Sequence, residues 1–343
     1  MNSELLKKQK EFLTHSLSGK TIMVSGSTGL IGSSIVRYIL DLNDCHGANI
    51  TVVALYRNEE KRYKVYPKER GDLKCIQYDE TNGVTEDICV DYVIHAAGIS
   101  GGSKMHLSNP IRVFDIGIGG TKRLLDFAVS HGCCGFCFVS TYEIYGQINS
   151  EGLIGEDSLC SLDPMILRNS YAEIKRVCEA MLTAYSATYG INVYSGRLSS
   201  TFGNGVAYND PRFFAEFGRC IIENKDIVLK TTGGTIRSYL DADDAASAFL
   251  YLLVNGENNT AYNLTNMDNI LSVKEIAERF IKASGGEIEI KYEISDNYQS
   301  FGFRKEGCAI IDSSKMEALG WKPVCSMDET ILKLIDSMRC DCI

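Results

Sequence analysis

Proline is scarce in this sequence, and long hydrophobic runs are missing from it. Only 5 of the 343 residues are proline, and no low-complexity linker or internal repeat marks a domain boundary. No segment approaches the roughly 18 uninterrupted apolar residues of a membrane-spanning helix. Residues 1–18 interleave charged and apolar side chains, so we expect a short amphipathic helix there and no secretion signal.

Basic charge is also in short supply. The 35 Lys and Arg residues face 44 Asp and Glu residues, which gives a net charge of −9. Such an acidic protein lacks the basic surface that nucleic acids and anionic membranes require, so neither is expected as a partner. Any anionic ligand must be bound by local arginine or lysine side chains or by helix N-termini.

Motifs for disulfides and metals are missing as well. The 13 cysteines are scattered and odd in number, which predicts reduced thiols and a cytoplasmic protein. Cys134 and Cys137 form a C-x-x-C pair, but it leads into an apolar strand and no second ligand pair lies at a suitable spacing. We therefore expect these thiols to pack against other side chains, and we predict no metal site.

The sequence does contain a glycine-rich turn between a predicted strand and a predicted helix. Residues 20–25 favour a strand, the motif Gly26-Ser-Thr-Gly29-Leu-Ile-Gly32 follows at once, and residues 33–40 have helical period. Gly26 permits a tight turn, Gly29 lets the backbone approach a pyrophosphate, and Gly32 allows close packing of helix and strand. Because a helix N-terminus favours anions, this context predicts a dinucleotide site.

The second predicted strand, residues 50–55, ends without the carboxylate that usually binds the ribose of NAD. Arg57 follows it, either as a ligand of the 2′-phosphate of NADP or as a solvated arginine. Asp79, at the next strand end, is predicted to contact the adenine. We predict NAD as the cofactor, with NADP as the alternative, and the predicted contacts in this half are Gly26, Thr28, Gly29, Leu30, Ile31, Gly32, Arg57, Asp79, Ala96, Ala97 and Gly98.

Strands and helices alternate over roughly 180 residues, which predicts an α/β fold with a Rossmann-type doubly wound parallel sheet. Further strands are expected at 91–98, 136–140 and 192–198, and helices at 109–130 and 170–189. We place the cofactor domain at 1–200. A smaller, mixed α/β substrate lobe is expected at 201–343.

Tyr171 and Lys175 stand four residues apart on the helix predicted at 170–189. Such a pair can share one helical face. An ammonium group there lowers the pKa of the phenol and makes it a usable proton shuttle. The alternative is a solvated lysine beside a half-buried tyrosine.

In their order, these motifs resemble the extended short-chain dehydrogenases/reductases, and among them the NAD-dependent nucleotide-sugar epimerases, dehydratases and decarboxylases. The resemblance covers about residues 20–325 and rests on Gly26-x-x-Gly-x-x-Gly32, His95-Ala-Ala-Gly98, Ser140-Thr141 before Tyr145-Gly146, Tyr171-x-x-x-Lys175, and the segments 197–203 and 234–244. It implies an enzyme of polysaccharide biosynthesis. It also implies a homodimer that packs through the helices at 109–130 and 170–189.

The same resemblance implies a role for each residue of the site. Thr141 would hydrogen-bond the reacting oxygen of the sugar, and Tyr171 would transfer its proton. Lys175 would bind the cofactor ribose beside Tyr171, so both residues join the predicted cofactor contacts. Arg237 would bind the substrate diphosphate, for which a guanidinium fork is suited, and Ser200 would lie near the substrate. A surface arginine paired with a carboxylate is the alternative for Arg237.

Glu143 distinguishes among the activities of the resembling enzymes. Thr141-Tyr142-Glu143 is similar to the Thr-Asp-Glu of dTDP-glucose 4,6-dehydratases and the Thr-Ser-Glu of UDP-glucuronate decarboxylases. A carboxylate there could take a proton next to a transient 4-ketone or assist decarboxylation. A glutamate that caps local backbone is the alternative. Tyr142 replaces the acid of the dehydratases, and Gly117 and Ser200 replace asparagines, which indicates a less common sugar.

The sequence thus predicts an enzyme that oxidises C4 of a nucleoside-diphosphate sugar with bound NAD(P) and then processes the 4-keto intermediate. Epimerisation, decarboxylation and dehydration are the possible outcomes. An NADPH-dependent reductase of a 4-keto sugar nucleotide is the alternative, which Arg57 favours. A non-catalytic NAD(P)-binding sensor would leave Thr141, Tyr171 and Lys175 without a reason to occur together.

Overall fold

The computed structural model describes residues 2–78, 83–98, 108–146, 152–158, 161–286, 288–294 and 307–341. Its strands are β1 Thr21–Ser25, β2 Thr51–Tyr56, β3 Leu73–Gln77, β4 Tyr92–His95, β5 Gly135–Thr141, β6 Leu153–Ile154, β7 Asn192–Leu198, β8 Ser200–Phe202, β9 Ile227–Leu229, β10 Ile236–Asp241, β11 Thr260–Leu264, β12 Asn266–Ser272, β13 Ile290–Tyr292 and β14 Cys308–Ile311. Its α-helices are α1 Ser3–Leu17, α2 Leu30–His46, α3 Glu59–Val65, α4 Pro110–Phe114, α5 Gly120–Ser130, α6 Ser170–Tyr189, α7 Phe213–Ile222, α8 Ala242–Asn255, α9 Val273–Ala283, α10 Ser314–Ala318 and α11 Met327–Asp341.

Seven parallel strands form the larger sheet, in the order β11-β7-β5-β4-β1-β2-β3. Side chains of α1, α2 and α8 form the core on one face, and side chains of α5 and α6 form the core on the other. This arrangement confirms the predicted doubly wound α/β fold. No helix in the described ranges has the length and apolar character needed to cross a membrane.

The strands of the larger sheet are nearly continuous apolar runs in the sequence, and β5 shows the reason. All seven of its residues are buried. Phe136 and Phe138 point into one core, while Cys137 and Val139 point into the other. A parallel sheet that helices cover on both faces requires apolar side chains at successive positions.

The helix predicted at 109–130 is interrupted. Helices α4 and α5 are joined by a π-helical turn, Asp115–Gly119. The turn places Gly117 against α6, where a Cβ atom on Gly117 would lie 2.4 Å from Ile174 Cγ2. The helix predicted at 170–189 is confirmed as α6, and Gly190 ends it at a φ of 73°.

The smaller lobe contains a five-stranded sheet, β12-β10-β14-β6 with β8 beside β10, and the pair β13-β9. Helices α7, α9 and α11 pack around its core. This mixed α/β lobe agrees with the predicted class. The division at residue 200 stays a prediction, and the chain returns to the larger sheet after that point, because α8 packs on that sheet and β11 forms one of its edges.

Candidate active site

A cleft of about 1650 Å³ opens at the carboxyl ends of the parallel strands, and residues from both the larger and the smaller sheet line it. Beside it, the strand order reverses between β1 and β4, which is where doubly wound folds bind their ligands. Asp79 lies outside the described residues. All the other predicted site residues line this cleft, namely Gly26, Thr28, Gly29, Leu30, Ile31, Gly32, Arg57, Ala96, Ala97, Gly98, Thr141, Glu143, Tyr171, Lys175, Ser200 and Arg237.

The glycine turn between β1 and α2 is built for close backbone contacts. Gly26 has a φ of 65°, and a Cβ atom on it would lie 2.7 Å from Ala97 Cα. A Cβ atom on Gly32 would lie 2.2 Å from the carbonyl oxygen of Gly26. Gly29 is the N-cap of α2, so the positive end of that helix faces the cleft. These residues fit a dinucleotide whose pyrophosphate approaches the backbone.

A buried polar chain supports the floor of this turn. Ser25 Oγ lies 2.7 Å from His95 Nδ1, and Thr121 Oγ1 lies 3.0 Å from His95 Nε2. The amide of Ala97 donates to Ser25 Oγ over 3.1 Å. Burial, together with the charge of Lys175, lowers the pKa of His95 to about 3. His95 is therefore neutral and holds the strand end in place without taking part in proton transfer.

The end of β2 forms a basic wall of the cleft. Arg57 lines it together with Lys61 and Lys64 of α3. Asn58 caps α3 by accepting a hydrogen bond from the amide of Lys61 over 2.7 Å. The capped helix keeps the two lysines on the side of the cleft where Arg57 lies.

Thr141, Tyr171 and Lys175 meet where β5 ends and α6 begins. Thr141 is the last residue of β5, and its hydroxyl group lies close enough to the Tyr171 phenol to lower the pKa of that phenol. The ammonium group of Lys175 donates to the carbonyl oxygen of Val139 over 2.7 Å and lies 4.4 Å from the ring centre of Phe138. The strand end thus positions both residues of the helix.

The environment shifts the pKa values of Lys175 and Tyr171 in opposite directions. Burial lowers the pKa of Lys175 to about 8. Burial raises the pKa of the Tyr171 phenol, and the charge of Glu143 raises it further. The effects that lower the Tyr171 pKa come from the hydroxyl group of Thr141 and from two cations, Arg168 and Arg212.

The expected depression of the Tyr171 pKa is therefore wrong for the protein without ligands. The sequence places Lys175 on the correct helical face, but its ammonium group is directed to the Val139 carbonyl. Desolvation of the phenol is the largest effect and exceeds the stabilisation from nearby cations.

Glu143 lies in the cleft within an ion pair. Its Oε2 atom is 2.9 Å from Nη2 of Arg168, and the side chains are 16% and 29% exposed. The Glu143 amide also donates to Thr141 Oγ1 over 3.3 Å. A carboxylate that a guanidinium fixes next to Thr141 and Tyr171 can act on the same substrate as those residues.

Neither Arg168 nor Arg212 belongs to a motif that the sequence displays, yet both line the cleft. Asp210 binds the guanidinium of Arg212 through contacts of 3.0 Å and 2.7 Å. In the sequence, Asp210 and Arg212 look like a local surface pair. Only Arg168, three residues before Tyr171, had a signal that could have found it, because residues three apart at a helix start lie close together.

Arg237 lies on β10, in the wall formed by the smaller lobe. No ion pair joins it to a carboxylate within the described residues. The alternative prediction, a surface arginine paired with a carboxylate, is therefore wrong for this part of the chain. Ser200 begins β8, which pairs with β10. Two of the three predicted substrate residues, Ser200 and Arg237, thus lie on neighbouring strands that face the cofactor turn across the cleft.

A family model matches residues 22–265, which is more than half of the chain, and it describes the NAD dependent epimerase/dehydratase family. The chain belongs to this family. It is therefore an NAD-dependent enzyme, and the glycine turn is the part of the cleft that fits NAD. The predicted resemblance is confirmed at this level.

Two similar proteins cover almost the whole chain. The low-salt glycan biosynthesis protein Agl12 of Haloferax volcanii is 25% identical over 92% of this chain and 97% of its own length. UDP-glucuronic acid decarboxylase 1 of Xenopus tropicalis is 26% identical over 93% of this chain and 72% of its own length.

Among solved structures, the fold is similar to that of UDP-glucuronic acid 4-epimerase from Bacillus cereus in complex with UDP-glucuronic acid and NAD. The TM-score is 0.77 at 19% identity, over 93% of this chain and 99% of the other. This similarity confirms the fold.

Proposed function

We propose that this enzyme oxidises C4 of a nucleoside-diphosphate sugar with bound NAD and then processes the 4-keto intermediate. The observation that carries the proposal is the convergence of Thr141, Tyr171 and Lys175 at the glycine-turn cleft. NAD supplies the hydride acceptor when it is bound. The proton of the C4 hydroxyl must then pass to a side chain.

Tyr171 is the group that takes this proton, and Thr141 hydrogen-bonds the same oxygen. Both side chains line the cleft, and the Thr141 hydroxyl group acts on the Tyr171 phenol, so a substrate hydroxyl group that binds one of them lies within reach of the other. Lys175 is buried one helical turn after Tyr171, and its positive charge would stabilise the developing phenolate. Because the pKa of the free phenol is raised, binding of cofactor and substrate must supply further stabilisation of the phenolate.

Arg237 is proposed to bind the substrate diphosphate. It faces the cleft without a carboxylate partner within the described ranges, and a guanidinium offers a planar fork to phosphate oxygens. Ser200, on the neighbouring strand β8, would contact the substrate beside it.

Glu143 is proposed to act on the ketone. Its carboxylate is fixed by Arg168 beside the reactive hydroxyl groups. It could take the proton at C5, which leads to epimerisation or dehydration, or assist loss of a C6 carboxylate. Decarboxylation, which the similarity to a decarboxylase favours, and epimerisation are the two outcomes to be tested first.

A panel of UDP-, dTDP-, GDP- and CDP-sugars tests this function. The purified protein is incubated with each sugar, and the products are resolved by chromatography and mass spectrometry. An unchanged mass with a changed stereocentre identifies an epimerase, a loss of 44 mass units identifies a decarboxylase, and a loss of water identifies a dehydratase. Absence of any product across the panel contradicts the proposal.

A second candidate is the reduction of a 4-keto sugar nucleotide with NADPH in place of the family's NAD. The basic wall of Arg57, Lys61 and Lys64 favours it, because cations at the end of β2 suit a 2′-phosphate. Stoichiometric consumption of NADPH supports this reaction, whereas turnover without added cofactor excludes it.

We also propose a cytoplasmic homodimer. Ile111 and Phe114 of α4 and Val177 of α6 are 71%, 39% and 44% exposed, so these helices present apolar side chains that a second copy would cover. Light scattering at micromolar concentration tests the dimer, and a monomer mass contradicts it.

A further inference from the structure

Arg37 of α2 joins the two lobes of the molecule. Its Nη2 atom donates to the carbonyl oxygen of Asn204 over 3.1 Å, and both residues line the cleft. Asn204 lies just after β8, a strand of the smaller sheet, whereas α2 packs on the larger sheet. This hydrogen bond therefore connects the two halves of the cleft directly.

On the side of the larger sheet, Arg37 is connected to the glycine turn. Its Nη1 atom donates to Ser33 Oγ over 3.0 Å, and its Nη2 atom donates to Ser34 Oγ over 2.8 Å. The two serine hydroxyl groups in turn donate to the carbonyl oxygen of Leu30, over 3.2 Å and 3.0 Å. Leu30 is the first residue of α2 and follows the N-cap, Gly29. A continuous chain of hydrogen bonds thus runs from the turn that fits NAD to Arg37.

On the side of the smaller sheet, the backbone after Asn204 leaves room for this arginine. Gly205 has a φ of 93°, and a Cβ atom there would lie 3.0 Å from Nη2 of Arg37. The Gly205 amide donates to Ser337 Oγ of α11 over 2.8 Å. Val206, the next residue, is buried in the core of the smaller lobe. The close approach of the guanidinium group to this backbone thus depends on a glycine at position 205.

The segment that Arg37 contacts leads to the reactive residues. Residues 203–212 connect β8 to α7 and end at Arg212. Arg212 lines the cleft, and its charge acts on the Tyr171 phenol. Asp210, in the same segment, binds the guanidinium group of Arg212 over 2.7 Å. The position of Arg212 in the cleft therefore depends on the course of this segment.

The contacts of Arg37 are made within the protein and form one rigid unit. Both terminal nitrogen atoms donate to oxygens of the protein. Because a guanidinium group is a planar and rigid fork, these three hydrogen bonds cannot change independently. A reorientation of Ser33 or Ser34 in the first turns of α2 would therefore shift Nη2 relative to Asn204.

We propose that Arg37 is a positioning residue that couples the glycine turn to residues 203–212, so that NAD and the nucleoside diphosphate bind cooperatively. This inference rests on the proposed function for its second ligand. The first turn of α2 becomes fixed when its amides bind the pyrophosphate of NAD, and the guanidinium fork transmits this order to Asn204. Since coupling between two ligands is reciprocal, each ligand should raise the affinity for the other by the same factor.

Hydrogen exchange tests the coupling without any substrate. The full-length protein is compared with and without NAD, as wild type and as Arg37→Gln, and exchange is followed by mass spectrometry. In the wild type, NAD should slow exchange at least about 3-fold both in residues 26–34 and in residues 203–212. In Arg37→Gln, the slowing should remain in residues 26–34 and be lost in residues 203–212.

Calorimetry with UDP, dTDP, GDP and CDP measures the coupling between the ligands. For the nucleotide that binds best, we expect bound NAD to lower the dissociation constant on the order of 10-fold in the wild type, and less than about 3-fold in Arg37→Gln. Arg37→Lys keeps the charge but loses the planar fork, so only part of the coupling should remain.

Arg279→Gln is the matched control. Arg279 of α9 pairs with Asp328 of α11 over 2.6 Å, so it also joins two elements. Both helices belong to the smaller lobe, and the pair lies outside the cleft. Its loss should leave the exchange pattern and the coupling factor unchanged. Thermal unfolding of each variant shows that a loss of coupling is not a loss of fold.

The outcomes separate this inference from the proposed function. The role of Arg37 is overturned if NAD does not slow exchange in residues 203–212 of the wild type, or if the slowing survives in Arg37→Gln. A weaker affinity for NAD with an unchanged coupling factor would make Arg37 a cofactor ligand and also overturns it. If none of the four nucleotides binds, the proposed class of substrate is contradicted, whereas hydrogen exchange still decides the role of Arg37.

Discussion

At the scale of single residues, the positive charge of the site and its proton-transfer group lie on different side chains, Lys175 and Tyr171. Lys175 donates to the carbonyl oxygen of Val139, and Thr141 rather than Lys175 is among the groups that lower the pKa of Tyr171. The side chains therefore do not form the direct ammonium–phenol contact that the spacing of four residues suggests. Tyr171 carries the proton and Lys175 carries the positive charge. Bound cofactor and substrate must therefore bring the two groups into interaction.

Replacement of Tyr171 by phenylalanine tests its role as the proton acceptor. We expect kcat to fall by at least about 100-fold, because the ring remains and only the acid/base group is lost. Initial rates with the substrate found in the panel measure the effect. Tyr185→Phe is the matched control, since its hydroxyl group donates to Asp126 away from the cleft. Equal rates in wild type and Tyr171→Phe would exclude this role.

Burial of Lys175 predicts a stability difference that depends on pH. Its pKa is about 8 in the folded protein against 10.5 in the unfolded chain, so the unfolded chain holds more protons between these values. The free energy of unfolding should therefore rise with pH across this window, relative to Lys175→Met, by about 2 kcal/mol between pH 8 and 10. Below pH 8, both states carry the charge and the full cost of its burial persists.

Urea unfolding at the two pH values measures this difference. The exposed Lys8 provides the control, because Lys8→Met removes a lysine from the protein surface. If wild type and Lys175→Met show parallel changes between pH 8 and 10, the burial of a charged Lys175 is not the cause.

At the scale of elements, the π-helical turn before α5 has a glycine, Gly117, that lets the turn pack closely against α6. Its Gly117 carbonyl oxygen accepts hydrogen bonds from Thr121 Oγ1 over 2.6 Å and from Cys178 Sγ over 3.5 Å. The asparagine that the resembling enzymes have at this position would collide with Ile174 in the present packing. The departure at Gly117 thus has a steric reason.

Gly117→Ala should destabilise the protein by about 1–3 kcal/mol, because the added Cβ must displace Ile174 of α6. Urea unfolding monitored by circular dichroism measures it. Gly71→Ala is the control, since nothing lies within 4 Å of the Cβ position at Gly71. A stability unchanged by Gly117→Ala would mean that α5 and α6 can separate at no cost.

A polar network joins three elements of the larger sheet and its helices below the cleft. Arg197 donates to Glu179 over 2.8 Å and to the Tyr145 hydroxyl group over 2.8 Å. That hydroxyl group donates to Asn263 over 2.7 Å. Arg197 therefore ties α6, β7 and β11 together below the cleft, and its place in a motif reflects this structural role.

At the scale of the whole molecule, the two sheets supply different halves of one cleft. The glycine turn belongs to the larger sheet, whereas Arg237 and Ser200 lie on strands of the smaller one. Lys333 of α11 pairs with Asp241 and Asp243 where β10 meets α8. This contact holds the C-terminal helix against the junction of the two lobes.

This division predicts separable effects of the two ligands on thermal unfolding. At 100 times its dissociation constant, a ligand stabilises the folded state by about 2.7 kcal/mol. NAD should raise the Tm of both wild type and Arg237→Gln. The best binder among UDP, dTDP, GDP and CDP should raise the Tm of the wild type alone. A nucleoside-diphosphate shift that survives in Arg237→Gln contradicts the role of Arg237.

The sequence alone determined the doubly wound fold, the glycine turn, and the order of Thr141, Tyr171 and Lys175. These follow from patterns within one strand, turn or helix, where spacing along the chain decides which face a residue occupies. The break in the helix at 109–130 was not predicted from the sequence, because Gly117 packs against Ile174 on another helix.

Only the tertiary structure decided which charges meet at the site. Arg168 pairs with Glu143 from a different segment of the chain, and the charge of Arg212 acts on the Tyr171 phenol. The raised pKa of Tyr171 likewise depends on burial that several elements produce together. Electrostatic and desolvation effects act through space between segments that are distant in sequence, so no local pattern records them.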